Sequence, residues 1–189
     1  MRKTFFALAG ALLLLSSSAQ AVVLSGASGA NPTADYSGAG TVAFDLDLAS
    51  FAPTTLRFVL EEADLAGPLN FNALVRNLSG AALDRFTFTL QGIAFAGAGS
   101  VTPAFGTIGA VDYGAQGASI AFAAPEWAEF QFGNPFALEG RSDWLLATAG
   151  LRAGDSFFIT ATVPEPSTAA LLLPALCMLG WTAARRRRG

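Results

Sequence analysis

Carboxylates and aromatic rings are the side chains of this sequence that could do chemistry. Histidine is absent from all 189 residues, Cys177 is the single cysteine and Lys3 is the single lysine. Imidazole catalysis, histidine metal ligation, internal disulfides and CxxC motifs are therefore excluded. We predict neither an enzyme nor a cofactor, because the remaining options for general acid–base catalysis are carboxylates alone.

Two groups of carboxylates lie close together in sequence. Asp45 and Asp47 share one face of a predicted strand, about 6.6–6.8 Å apart along the backbone. They could begin a calcium site, which needs several oxygen ligands. The second group consists of Glu61, Glu62 and Asp64. No DxDxDG loop accompanies Asp45 and Asp47, so we favour solvated surfaces for both groups and predict no metal site.

An acid pair and several aromatic residues suggest carbohydrate chemistry. Glu126 and Glu129 flank Trp127, as in a fragment of a glycoside hydrolase, but nothing in the sequence places the two carboxylates across a cleft. Aromatic rings could instead form a platform on which sugars stack. The candidates are Trp127, Trp144, Tyr36 and Tyr113, with packing in the core or in loops as the alternative.

Short alternating segments must position these side chains. Thr41–Leu48 alternates strictly between apolar and polar residues, and residues 56–60 and 85–90 repeat the pattern. Fourteen phenylalanines between Phe44 and Phe158 would supply the core. We predict an all-β fold, a two-sheet β-sandwich over residues 22–163. Further strands are expected at 71–78, 93–95, 119–122, 129–132 and 157–163. Short helical turns are expected at 61–65 and 142–149, with a loop as the alternative for residues 142–149.

The first 21 residues indicate a secretory signal peptide. Arg2 and Lys3 precede an apolar core over residues 5–15, and Ala19 and Ala21 form an A-x-A cleavage site. The alternative, an uncleaved anchor helix, is disfavoured because this core is too short to span about 30 Å of hydrocarbon. We expect signal peptidase to cut after Ala21.

The exported part is strongly acidic. Between residues 22 and 163, five arginines face thirteen carboxylates, a formal net charge of −8 against −3 for the whole chain. This balance argues against nucleic acid and anionic membrane surfaces as partners.

The C-terminus combines three features in a fixed order. Pro164, Glu165 and Pro166 precede an uncharged apolar stretch over residues 168–184, and an arginine cluster follows. The stretch has the minimum length of a transmembrane helix, and the arginines would keep its end in the cytoplasm. Residues 22–163 would then lie outside the inner membrane, and a plain tail anchor is the alternative. The cluster consists of Arg185, Arg186, Arg187 and Arg188.

This order of features resembles the PEP-CTERM sorting domain of exosortase substrates, over residues 163–189. The resemblance implies a Gram-negative bacterium with an exosortase and an exopolysaccharide locus. It also implies processing by that membrane peptidase near the Pro-Glu-Pro triplet. The apolar helix would hold the precursor in the inner membrane only transiently, before the protein reaches the outer surface or the extracellular matrix.

A second resemblance concerns the exported domain. Residues 75–80 and 86–90 are similar to a hairpin of PEP-CTERM ectodomains, with Asn77 and Gly80 at the turn. The resemblance implies that the two segments pair with each other.

We therefore expect a non-enzymatic exported protein of the cell surface or biofilm matrix, with signal peptidase and exosortase as processing partners. The alternative is a carbohydrate-binding module, with or without calcium, that binds exopolysaccharide through exposed aromatic rings.

Overall fold

The computed structural model describes residues 22–164, and within this range thirteen strands form two sheets. The prediction of an all-β fold with two sheets is confirmed. The helical turn expected at 61–65 is present as a 3-10 helix over Glu62–Ala66. The strands are β1 Val23–Ser28, β2 Thr33–Asp35, β3 Thr41–Leu48, β4 Thr54–Val59, β5 Leu69–Asn77, β6 Leu83–Gln91, β7 Ala94–Gly97, β8 Val101–Pro103, β9 Thr107–Gly114, β10 Gly117–Glu126, β11 Glu129–Phe132, β12 Trp144–Ala147 and β13 Ser156–Thr162.

The first sheet is antiparallel throughout and has the order β1-β4-β13-β6-β10-β9. The second has the order β2-β3-β5-β11-β8, and its β3–β5 pair is parallel. β12 and β11 lie along the same edge of β5: β12 pairs with the start of β5, and β11 pairs with the rest. On its other side β12 pairs with β7. Both long edges of β5 are therefore covered by neighbouring strands.

The core lies between the two sheets and is rich in phenylalanine. On β3 the predicted inward residues are buried, and Phe44 contacts Phe58 and Phe88 of the opposite sheet with ring centroids 6.1 Å apart. Each fully buried large apolar side chain stabilises the fold by roughly 1.5–3 kcal/mol. The sandwich therefore rests on packing of rings across the inter-sheet space. The buried residues of β3 are Val42, Phe44, Leu46 and Leu48.

Two local predictions are wrong. The segment expected as a helical turn or a loop at 142–149 contains strand β12, whose side chains alternate between buried and half-buried. The expected hairpin does not form either, because β5 and β6 belong to different sheets. Their inner faces are both apolar, so Phe71 and Phe88 meet across the core with ring centroids 5.3 Å apart. Strands that bury facing sides stack on each other rather than pair edge to edge.

The predicted signal peptide over residues 1–21 and the predicted apolar helix over residues 168–184 lie outside the described residues. Within 22–164 we find no helix of the length and apolarity needed to cross a membrane.

Candidate functional site

Glu126, at the end of β10, is buried and its carboxylate joins two loops. Oε2 accepts hydrogen bonds from the backbone N–H groups of Phe105 and Gly106, at 3.0 and 2.9 Å. Oε1 accepts from the N–H groups of Trp127 and Ala128, at 2.9 and 2.8 Å. Charged acceptors make the stronger class of hydrogen bond, so this carboxylate is an anchor for both loops.

The four donors also set the ionisation of Glu126. Burial alone would raise the pKa of Glu126, but the four N–H groups stabilise the charged form and together hold the pKa below its usual value. A glycosidase acid needs a raised pKa and access to the glycosidic oxygen. Glu126 has neither, because the four N–H groups lower its pKa and burial denies a substrate access to its side chain.

The anchored loops present two exposed aromatic rings. Phe105 is 79% exposed and Trp127 is 58% exposed, although both residues donate their N–H groups to the same buried carboxylate. We refer to these two residues as the Phe105–Trp127 surface. Of the predicted stacking residues, Trp127 therefore does lie where a ligand could reach it.

Trp144 does not lie where a ligand could reach it, and the prediction that it stacks on a sugar is wrong. Its side chain is fully buried, and its indole N–H donates to the carbonyl of Ser100 at 3.1 Å. Its ring stacks on Phe132 with centroids 4.4 Å apart, and Tyr113 covers it edge-on at 5.4 Å. Trp144 is a core residue because β12 is held between β5 and β7 and points its first side chain inward.

Asp45 and Asp47 are bridged by an arginine on the adjacent parallel strand. Arg76 Nε lies 2.6 Å from Asp47 Oδ1, and Arg76 Nη2 lies 3.1 Å from Asp45 Oδ2. The guanidinium occupies the place that a cation would need between these carboxylates. Partial burial raises the pKa of Asp45, an effect that Asp47 adds to and Arg76 opposes.

The second acidic group is partly structural. Glu62 is exposed, as expected, but Asp64 is buried. The Asp64 carboxylate accepts from the N–H groups of Gly40 and Glu61, at 3.0 and 2.9 Å, and so ties the 3-10 helix to the β2–β3 turn. Among residues 22–164, acidic and cysteine side chains nowhere form a group of three that could hold a metal ion.

A pocket of about 310 Å³ opens on the outer face of the second sheet. Tyr36, a predicted stacking residue, lines it and is 65% exposed. Phe136 lines it too and is 54% exposed. Asp45 and Leu74 also contribute to its lining.

Sequence reasoning missed Phe105 and Phe136. Both belong to loops marked by turn residues, Phe105 just after Pro103 and before Gly106, and Phe136 directly after Pro135. An aromatic residue inside a Pro- or Gly-containing turn lies outside any alternating segment, which is a signal that its ring is exposed.

The sandwich ends immediately before the C-terminal segment. Ala161 is the last buried residue of β13, Thr162 is its last residue, and Pro164 is exposed at the end of the described range. Glu165, Pro166 and the arginines at 185–188 lie outside the described residues. So do Ala19 and Ala21 of the predicted signal-peptidase site.

The structure thus defines an all-β domain that leads directly into a C-terminal segment. A family model described as the PEP-CTERM protein-sorting motif matches residues 162–188. The chain therefore carries a PEP-CTERM sorting motif in its C-terminal segment, and this motif implies exosortase-dependent sorting of a secreted protein. Neither the curated proteins nor the solved structures yielded a match.

Proposed function

We propose that this protein is a non-enzymatic component of the cell surface or biofilm matrix, whose β-sandwich is displayed outside the cell after exosortase processing. The observation that carries the proposal is the junction between domain and motif. The motif match begins at residue 162, which is the last residue of β13. Processing near Pro164 would therefore release the domain with every described strand intact.

The side chains of the domain support a non-catalytic role. Residues 22–163 contain no histidine, lysine or cysteine. Both carboxylate oxygens of Glu126, the acid beside Trp127, accept hydrogen bonds from backbone N–H groups. A displayed protein of this kind would act through its surface rather than through bond-making or bond-breaking.

The experiment is a mass measurement of the mature C-terminus in cells with and without the exosortase. We expect the mature protein from exosortase-positive cells to lack the arginines at 185–188, because the motif is removed. Glu165→Ala should leave the protein in the membrane with these arginines attached, whereas Glu139→Ala, a control in an exposed loop of the domain, should not. A mature surface protein that retains the arginines in exosortase-positive cells would support a plain tail anchor instead.

Absence of catalysis is tested separately. The mature protein should not hydrolyse polysaccharide, ester or peptide substrates. Turnover that disappears in Glu129→Ala would contradict the proposal and revive the glycosidase interpretation.

A second candidate function is carbohydrate binding. Two exposed aromatic rings on loops anchored by the same carboxylate favour it, because grouped apolar surface can mark an interaction site. Glycan binding measured with and without a chelator separates this function from a purely structural one. We expect the chelator to have no effect, because Arg76 already bridges Asp45 and Asp47.

A further inference from the structure

We infer that the pocket between Tyr36 and Phe136 is a saccharide-binding site, in which a sugar ring lies between the two aromatic side chains. One hydroxyl of the sugar would donate a hydrogen bond to the carboxylate of Asp45. The inference rests on the carbohydrate-binding function proposed above and gives that function a location. The pocket, at about 310 Å³, is at the lower end of the range of ligand sites in proteins, which is roughly 300–1,000 Å³.

Hydrogen bonds hold the backbone of both aromatic walls before any ligand arrives. The Tyr36 N–H donates to the carbonyl of Ala43 at 2.8 Å, which holds Tyr36 against β3. On the opposite wall, the N–H of Asn134 donates to Asn72 Oδ1 at 2.6 Å, and Asn134 Oδ1 accepts from the N–H of Leu138 at 2.7 Å. These bonds fasten the loop that carries Phe136 to the sheet. Preorganised walls reduce the entropy lost on binding.

The floor of the pocket is apolar with one polar group. Leu74 is 7% exposed, although it is not part of the core between the sheets. Beside it, Asp45 Oδ2 is bonded to Arg76, whereas Asp45 Oδ1 has no hydrogen-bond partner among the described residues. An apolar floor and walls with one free acceptor match a sugar, which has an apolar C–H face and hydroxyl donors around its rim.

Arg76 favours a neutral hydroxyl ligand over a cation. Arg76 Nη2 lies 3.1 Å from Asp45 Oδ2 and compensates much of the negative charge that would attract a quaternary ammonium ion. The lone pairs of Asp45 Oδ1 remain free to accept a hydrogen bond from a hydroxyl group. The Phe105–Trp127 surface lacks an equivalent acceptor, because Glu126 already accepts four backbone hydrogen bonds. The pocket therefore fits a sugar better than that surface does.

The test is calorimetric titration of the whole chain in phosphatidylglycerol nanodiscs. The probes are cellotetraose, N-acetylated chitotetraose, mannotetraose, xylotetraose and choline. We expect at least one tetrasaccharide to bind and choline not to bind. Tyr36→Ala and Phe136→Ala should each weaken binding by roughly tenfold, which corresponds to about 1.4 kcal/mol. Trp127→Ala tests the Phe105–Trp127 surface as the alternative location. The matched control is Leu78→Ala, an exposed apolar side chain outside the pocket, and it should bind as the unaltered chain does.

Asp45 is tested by the pair Asp45→Asn and Asp45→Ala. The amide keeps an acceptor oxygen and should retain more binding than alanine, a difference that a general loss of packing would not produce. Thermal unfolding of each variant verifies that the chain remains folded.

The outcomes separate the site from the function. Saccharide binding that is lost in Trp127→Ala and kept in Tyr36→Ala and Phe136→Ala would overturn the pocket while leaving carbohydrate binding in place. Binding of choline without any tetrasaccharide would overturn the saccharide assignment. If none of the probes binds, both the pocket and the carbohydrate-binding function fail.

Discussion

The backbone N–H of Phe105 lies 3.0 Å from the carboxylate of Glu126, a residue 21 positions further along the chain. The bond joins the β8–β9 turn to the end of β10. A buried carboxylate thereby binds the backbone of two loops whose own aromatic side chains remain exposed. Much of what can be tested in this protein follows from this division between buried anchors and exposed rings.

The described domain should fold without its flanking segments. All the buried residues of the core lie between Val22 and Ala161, so a fragment of residues 22–163 retains the whole packing. Far-ultraviolet circular dichroism should give a β-rich spectrum with a cooperative thermal transition. A predominantly helical spectrum, or no transition, would contradict the fold.

Removing the charge of Glu126 should destabilise this fragment. In Glu126→Gln the amide group would aim N–H donors at backbone N–H groups, so buried donors lose their acceptor. We expect the free energy of unfolding to fall by at least about 2 kcal/mol in urea denaturation. Glu139→Gln, at an exposed carboxylate, is the matched control and should change it by less than about 0.5 kcal/mol.

The same comparison has a defined pH dependence. Because the pKa of Glu126 is lower in the folded state than the ordinary value of 4.5, its contribution is fully present above that pH. It is lost as the pH falls through the folded-state pKa. The stability difference between the unaltered fragment and Glu126→Gln should therefore shrink on acidification below about pH 4.5. A difference that stays constant down to pH 2 would show that the charge is not what matters.

The two tryptophans should respond in opposite ways to truncation. Trp144 is buried against Phe132, so Trp144→Ala should cost about 3–5 kcal/mol of stability. Trp127 is 58% exposed, and Trp127→Ala should cost less than about 0.5 kcal/mol. Equal losses in chemical denaturation would mean that Trp127 is also a packing residue.

Gly133 should be the least replaceable glycine near the pocket. Its φ of +81° favours glycine, and an added Cβ would lie 2.7 Å from the carbonyl oxygen of Phe71 and would also clash with Asn72 Oδ1. Gly140 has a similar φ of +76° but open space around the Cβ position. Gly140→Ala should therefore cost only the strain of about 1–2 kcal/mol, and Gly133→Ala clearly more. Equal costs in urea denaturation would argue against the clash.

Replacing Arg76 should have a modest, salt-sensitive effect. Arg76→Ala leaves Asp45 and Asp47 without their shared partner, but the Arg76 side chain is 37% exposed and so its ion pairs are screened. We expect a loss of about 1 kcal/mol at low ionic strength and less at 1 M salt. The pKa of Asp45 should also rise further, because Arg76 lowers it in the unaltered protein. A pKa unchanged by NMR titration would contradict this coupling.

Segments with one buried face could be predicted from the sequence. The bounds of β3 agree with the predicted 41–48 at both ends because its apolar and polar residues alternate without a break. β9 was missed, since its side chains are exposed on almost every position and carry no period. For residues 142–149 the sequence favours a helical turn or a loop, because the four residues of β12 are too few to distinguish a period of 2 from one of 3.6.

The candidate sites depended on contacts that no local pattern carries. The acidic pair of β3 looked solvated because its partner, Arg76, comes from β5 through a parallel pairing. Tyr36 could be nominated as an aromatic residue outside the strands, but its opposite wall, Phe136, is brought near it only by tertiary folding. The prediction of an exposed Trp144 is wrong because the sequence around a tryptophan beside turn residues is the same whether the ring faces solvent or the core.

The position of β13 within its sheet determines when the domain can close. β13 pairs with β4 on one side and with β6 on the other, although it is the last strand in chain order. Until residues 156–162 are in place, β1 and β4 remain separated from β6, β10 and β9 by a missing strand, and Phe58 lacks its stacking partner Phe157. If the chain crosses a membrane from its N-terminus, the first sheet can be completed only after its final strand has emerged. Closure of the core would then coincide with the end of transport.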